Sequence, residues 1–196
     1  MVALPQIPLR LPADSAQEIA ALKSCRIRTW RRADIGVVRR HLNDPDMWSF
    51  LSSSFGGRLS PDHAEHYLAA LSTAPRIFFF AAARLDNDEA VGAICGEIGT
   101  GLQCRSAELG GWLARPHWRS GIAREVTTAF ADWLFQTHDV LRVHAAPYHP
   151  NRASIGTLRA AGFVFEGRLR CSVVKDGRVM DQMQYAKINP KYSSAP

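Results

Sequence analysis

The sequence predicts an α+β domain around a mixed, mostly antiparallel, twisted sheet. Strand-like segments follow one another without intervening helices from about Arg76 to Ala114, and helix-like segments are set apart before and after that block. Turn signals at Asp86-Asn87-Asp88-Glu89 and Lys175-Asp176-Gly177 join consecutive strands as hairpins.

Residues 1–22 read as a proline-bearing arm with a short helical stretch, outside a domain of 23–190 that leaves 191–196 as a tail. From Ser24 to Trp30, Cys25, Ile27 and Thr29 alternate with Arg26, Arg28 and Trp30, the period of a first strand. Ala33 to Leu42 has helical spacing and closes on the turn signal Asn43-Asp44-Pro45-Asp46. Ser60-Pro61-Asp62 opens a second helix, with a capping serine and proline at the first position, that runs to about Leu71. Strands follow at about Arg76 to Leu85, Ala90 to Ile98 and Ser106 to Ala114. A long helix then places Ile122, Val126, Ala129, Phe130, Trp133 and Leu134 on one face. A strand from Val140 to Ala146, a short helix from Asn151 to Ala161 stopped by Gly162, and strands at Phe163 to Val174 and Val179 to Ile188 complete the chain.

The 196 residues are 46% hydrophobic and 21% charged, enough for one domain with a sizeable core. The apolar run Ile77 to Ala83 is far shorter than the roughly 20 residues of a membrane helix. The first residues lack a basic segment leading into a continuous apolar one, so no export signal is read and the expected compartment is the cytoplasm. Cys25, Cys95, Cys104 and Cys171 are scattered, which excludes a CxxC zinc pattern and gives no disulfide framework. His63 and His66 lack the i,i+4 spacing of HExxH, and no metal is expected. The net charge of +6 suits a polyanionic ligand, but without aromatic–basic interleaving it does not point to nucleic acid.

The stretch WRSGIARE, Trp118 to Glu125, stands between a strand and a helix. A tight glycine turn there presents amides at the positive end of a helix dipole, with Arg119, Ser120 and Arg124 adding donors. It reads either as a plain corner or as a phosphate cradle. It is not a Walker loop, and no GxGxxG fingerprint is present.

ELGGWLARPHWRSGIARE followed by NRASIGTLRAAGFVFEG resembles the GCN5-related N-acetyltransferase (GNAT) superfamily, in its branch of ribosomal-protein-alanine (RimJ/RimL-like) acetyltransferases. The resemblance covers about Ser24 to Ile188 and implies a GNAT fold with about four helices and a sheet splayed near the cofactor. It implies acetyl-CoA as co-substrate and direct attack by an amine, from a protein N-terminus or a small molecule, in a ternary complex. The backbone of Arg119, Ser120, Gly121, Ile122, Ala123 and Arg124 would hold the diphosphate. Arg119 stands where the family carries glycine, so a positive φ there would be strained. Leu113 marks the strand whose amides would meet the oxyanion.

By the same resemblance Asn151 contacts the cofactor arm, although its position also makes it a helix N-cap, and Ser154 protonates the leaving thiolate. Unaided by the family, Ser154 is an ordinary first-turn serine. The tyrosine found in many relatives four residues after the serine is here Leu158, and Tyr148 is a weaker substitute. Glu97 and Glu108 are the candidate general bases, or else solvated strand carboxylates. Arg170 to Val174, where the ribosomal branch has a carboxylate, contains none. Trp48, Phe50 and Phe55 line the amine pocket or plug the core. The arm suggests a homodimer contact. The alternative is a non-catalytic acyl-CoA-binding domain of the same fold.

Overall fold

A computed structural model of the chain describes residues 17–48, 51 and 59–192, and its strands from β2 onward fall largely where the sequence reading expects them. They are β1 (Glu18–Ala21), β2 (Cys25–Arg28), β3 (Ile77–Arg84), β4 (Ala90–Ile98), β5 (Ser106–Leu113), β6 (Arg142–Ala145), β7 (Val164–Lys175) and β8 (Arg178–Ile188). The helices are α1 (Ile35–Leu42), α2 (Pro45–Trp48), α3 (Pro61–Thr73), α4 (Ile122–Thr137) and α5 (Arg152–Ala160). One sheet has the order β1-β2-β3-β4-β5-β6-β8-β7, and every neighbouring pair is antiparallel except β5 and β6. The expected α+β class and mixed sheet are therefore present.

Two local expectations are corrected. Residues 18–21 form a strand paired with β2 instead of a helical stretch, because that edge offers open backbone groups that a four-residue helix could not match. Pro45, read as part of a turn, begins the short helix α2, since its fixed φ suits a first helical position. At α3 the expected cap is seen directly: Ser60 Oγ accepts from the His63 amide at 3.2 Å.

Each face of the sheet carries its own core. On one side Ile122, Val126, Phe130 and Leu134 of α4 pack over Ile27, Phe80, Ile94, Ala107 and Val143. On the other, Val38, Leu42 and Leu68 pack over Trp30, Phe79, Ala93 and Trp112. Burial of such side chains stabilises by about 1.5–3 kcal/mol each. One polar element is built into the structure as well. Arg28, 1% exposed, donates to both carboxylate oxygens of Asp34 at 2.8 and 2.9 Å and to Asp88. Asp88 sits at φ 57° and turns its carbonyl toward the guanidinium groups of Arg28 and Arg31.

Three residue pairs join β5 to β6: Ser106 with Arg142, Ala107 with Val143 and Glu108 with His144. Beyond them β5 continues along β4 as far as Leu113, paired with Gly92, while β6 ends at Ala145. Pro147 explains the early end, having no N–H for a ladder. The outcome is a fork in the middle of the sheet.

Candidate active site

The fork exposes backbone on the β5 side. The Ala114 amide bonds Val91 O at 2.8 Å, so Trp112, Gly110 and Glu108 direct their hydrogen bonds to β4. By alternation, Gly111 and Leu113 direct theirs into the gap. Indole Nε1 of Trp118 donates to the Leu113 carbonyl at 2.6 Å, and the β5–β6 register ends at Glu108, short of the Gly111 and Leu113 amides, which have no strand partner among the described residues. Gly111 is required for close approach to β4, because a Cβ there would lie 2.5 Å from Ala93 O. Five residues, 109–113, span about 16 Å at strand rise, the scale of an extended pantetheine arm.

At the open end of the fork stands the turn before α4. Gly121 is its N-cap at φ 90°, and Arg119 has φ 63°. Among the described residues the amides of Arg119, Ser120, Gly121, Ala123 and Arg124 have no protein acceptor. The Ile122 amide has only a 3.4 Å contact with Ser120 Oγ. Arg119 and Arg124 are exposed, with no side-chain partner among those residues. The sequence reading expects the diphosphate at these amides. The Ser120 hydroxyl differs: it donates to His117 O at 2.6 Å, a bond internal to the turn, and its hydrogen is already used.

The positive φ at Arg119 carries a cost of about 1–2 kcal/mol for an L side chain. Glycine would relieve it but would give back about 0.4–1 kcal/mol through unfolded-chain entropy. Arg119→Gly is expected to raise the melting temperature by about 2–3 °C while weakening acetyl-CoA binding a few-fold through loss of a cation. Thermal melts and calorimetry on the same samples check both signs.

Because β5 and β6 are parallel, their C-terminal ends, and the helix starts that follow them, share one edge of the sheet. That edge brings the turn at 118–124 and the start of α5 into one region. Asn151 caps α5, its Oδ1 accepting from the Ser154 amide at 3.0 Å, so the capping role is seen directly. Asn151 Nδ2 and the half-buried Ser154 hydroxyl have no partner among the described residues. The loop that positions them is pinned by β8, with Met183 N–H to Pro147 O and His149 N–H to Asp181 O, each 2.9 Å. Leu158 is buried in the core, and burial pushes the Tyr148 hydroxyl above its ordinary pKa.

Glu97 and Glu108 stand directly opposite one another on β4 and β5. Glu97 pairs with Arg76 at 3.8 Å on the side of β4 away from the fork. Glu108 lies at the fork itself, in register with His144. From sequence His144 reads as one of several dispersed surface or packing histidines, and its position next to a carboxylate becomes visible only once the register of β5 and β6 is known. A second unanticipated group is Asp181. Strand β7 bulges between Leu169 and Val173, where Cys171 has φ 50°, and the Cys171 amide donates to Asp181 at 2.8 Å. A carboxylate therefore does stand beside Arg170–Val174, supplied by β8. The Cys171 amide and Arg168 hold it below the usual carboxylate range, which makes it a weak base. Phe50, Phe55 and the side chain of Trp48 lie outside the described residues.

Of the four thiols, Cys25 and Cys95 are raised by burial, to about 11 and about 12, while Cys104 and Cys171 are exposed. No helix among the described residues is long and apolar enough to cross a membrane.

Comparison with known proteins agrees with the geometry. The acetyltransferase (GNAT) domain family matches residues 25–164. YoaA, an uncharacterized N-acetyltransferase of Bacillus subtilis, is 32% identical over 108 residues, 55% of this chain, and the match spans 60% of that relative's length. The ribosomal-protein-S5-alanine acetyltransferase of Vibrio fischeri superposes with a TM-score of 0.75 at 20% identity, covering 91% of this chain and 99% of that one. RimL, a ribosomal L7/L12 α-N-protein acetyltransferase solved with coenzyme A, gives 0.76 at 16% identity, covering 88% and 98%.

Proposed function

The chain belongs to the GNAT acetyltransferase family, and from that premise we propose that it transfers the acetyl group of acetyl-CoA to a primary amine by direct attack. One observation carries the proposal: a turn whose amides at 119–121, 123 and 124 have no acceptor among the described residues opens onto a fork into which β5 turns its Gly111 and Leu113 amides. An anion at the first and an extended arm along the second would leave the thioester near the apex of the fork, beside Glu108.

In this reading the amides of Arg119 to Arg124 and the two arginine side chains bind the diphosphate. The Gly111 and Leu113 amides meet the pantetheine or the developing oxyanion. Asn151 Nδ2 contacts the arm while its Oδ1 caps α5. Ser154 gives a proton to the leaving sulfur. Glu108, opposite Glu97 on β4, stands at the apex where the amine would attack. The domain responsible is 23–190 extended by β1, and the compartment is the cytoplasm.

The acceptor is a peptide N-terminus or a small amine. Thiol release from acetyl-CoA, followed with alanine- and serine-starting peptides and spermidine, tests the reaction. Binding of acetyl-CoA without release on any of them would favour a non-catalytic acyl-CoA-binding domain. Ser154→Ala is expected to lower turnover by about 10- to 100-fold with little change in acetyl-CoA affinity. Equal turnover would remove the hydroxyl from the chemistry.

A further inference from the structure

His144 is the last residue of β6 in register with β5, and it stands at the apex of the fork. Its neighbours Val143 and Ala145 point into the core under α4, so its own side chain lies on the opposite face, the one shared by Glu108. Its Nδ1 is buried with no hydrogen-bond partner among the described residues. Buried polar nitrogens normally find a donor or acceptor, and the residue as a whole is only half-buried.

The surrounding charges are few. Glu108 faces the ring from β5, Arg142 from two residues earlier on β6, and Glu166 from β7, where it is ion-paired with Arg142. From β8 the register partner is Ala186, which does not titrate.

We propose that His144 accepts the proton lost by the attacking amine, with Glu108 beside it as a positioning residue that balances the imidazolium. This rests on the acetyl-transfer reading and supplies the base for which the sequence offers only carboxylates. The nitrogen lone pair forms the new C–N bond while the carbonyl π pair moves onto oxygen. The amine proton passes to the imidazole. Collapse re-forms the carbonyl and breaks the C–S bond, sulfur leaving with the electron pair and taking a proton from Ser154. The imidazolium then returns its proton to water and Ser154 regains one from water, so the net change is amine plus thioester to amide plus thiol.

Burial lowers the imidazole pKa below its ordinary 6.5, and Arg142 adds to this, while Glu108 and Glu166 pull the other way. The ring is therefore neutral, and able to accept, at neutral pH. Protonation removes the base only as pH falls below 6.5, so kcat at saturating amine should be flat above that value and decline below it.

The test measures thiol release from acetyl-CoA against pH for the wild type, His144→Gln and Glu108→Gln, with an alanine-starting peptide, a serine-starting peptide and spermidine. His144→Gln is expected to lower kcat by about 100-fold at pH 7.5, abolish the acid limb and leave the acetyl-CoA affinity unchanged by calorimetry. Glu108→Gln should move the limb to lower pH, a shift that a purely structural carboxylate would not produce. His144→Gln with wild-type kcat and an unmoved limb overturns the proposal. Should that variant not fold, an acid limb that Glu108→Gln leaves unmoved overturns it equally. Wild-type protein that releases no thiol with any of the three amines sinks the acetyl-transfer reading itself, a result separable from loss of the base alone.

Discussion

Gly121→Val is expected to weaken acetyl-CoA binding by about 10- to 100-fold, equivalent to about 1.4–2.8 kcal/mol. Two effects add. Gly121 sits at φ 90°, where a β-branched residue costs about 1–3 kcal/mol, so the turn would give up the conformation that aims its amides outward. The added side chain meets nothing within 4 Å of its Cβ, so it stands in the open space before the helix start, where an anion would rest. The strain is small beside a domain stability of about 5–15 kcal/mol, and the protein should remain folded with a lower melting temperature. The contrast between Gly121→Ala and Gly121→Val by calorimetry separates the two effects, since both strain the backbone and valine fills more space. Unchanged affinity for both would refute the phosphate cradle.

The largest stability effect is expected at the other end of the sheet. Asp34→Ala leaves the Arg28 guanidinium 1% exposed with only Asp88 as a charged partner. It also removes the acceptor for the Arg31 amide, now 2.8 Å from Asp34 Oδ2. Breaking a buried ion pair from one side costs about 3–5 kcal/mol, because the remaining charge is stranded away from water. For a domain of this size the melting temperature should fall by on the order of 10 °C. Chemical denaturation of Asp34→Ala and Asp34→Asn gives the comparison, the amide keeping hydrogen bonds without the charge. A loss below about 1 kcal/mol for alanine would show that water reaches Arg28 and that the pair is worth no more than a surface one.

Much of the fold was legible because side-chain period is a local property. Strands β3 to β5 lie within a residue or two of the runs bounded by turn signals, and α4 carries the apolar face that helical spacing gives from Ile122 to Leu134. Strand β1 was not, since Glu18–Ala21 has no pattern of its own and becomes a strand only through the open edge of β2. The turn at 118–124 was readable in its small residues, but the use of the Ser120 hydroxyl inside the turn depends on where the His117 carbonyl points. His144 and Asp181 escaped for one reason: their neighbours Glu108 and Cys171 are supplied by other strands, through a register and a bulge that no spacing within a single segment encodes.

Among the described residues, the three rungs between β5 and β6 are the sole ladder joining the five strands on one side of the sheet to the three on the other. The place left open for a ligand is thus also the seam of the molecule. An arm hydrogen-bonded along β5 and packed against the loop after β6 would stitch that seam, and the occupied protein should resist unfolding as a single body. At a hundredfold excess over the dissociation constant, mass action alone contributes about 2.7 kcal/mol to that resistance. Cellular cofactor levels would then govern how long the protein endures as well as how fast it turns over.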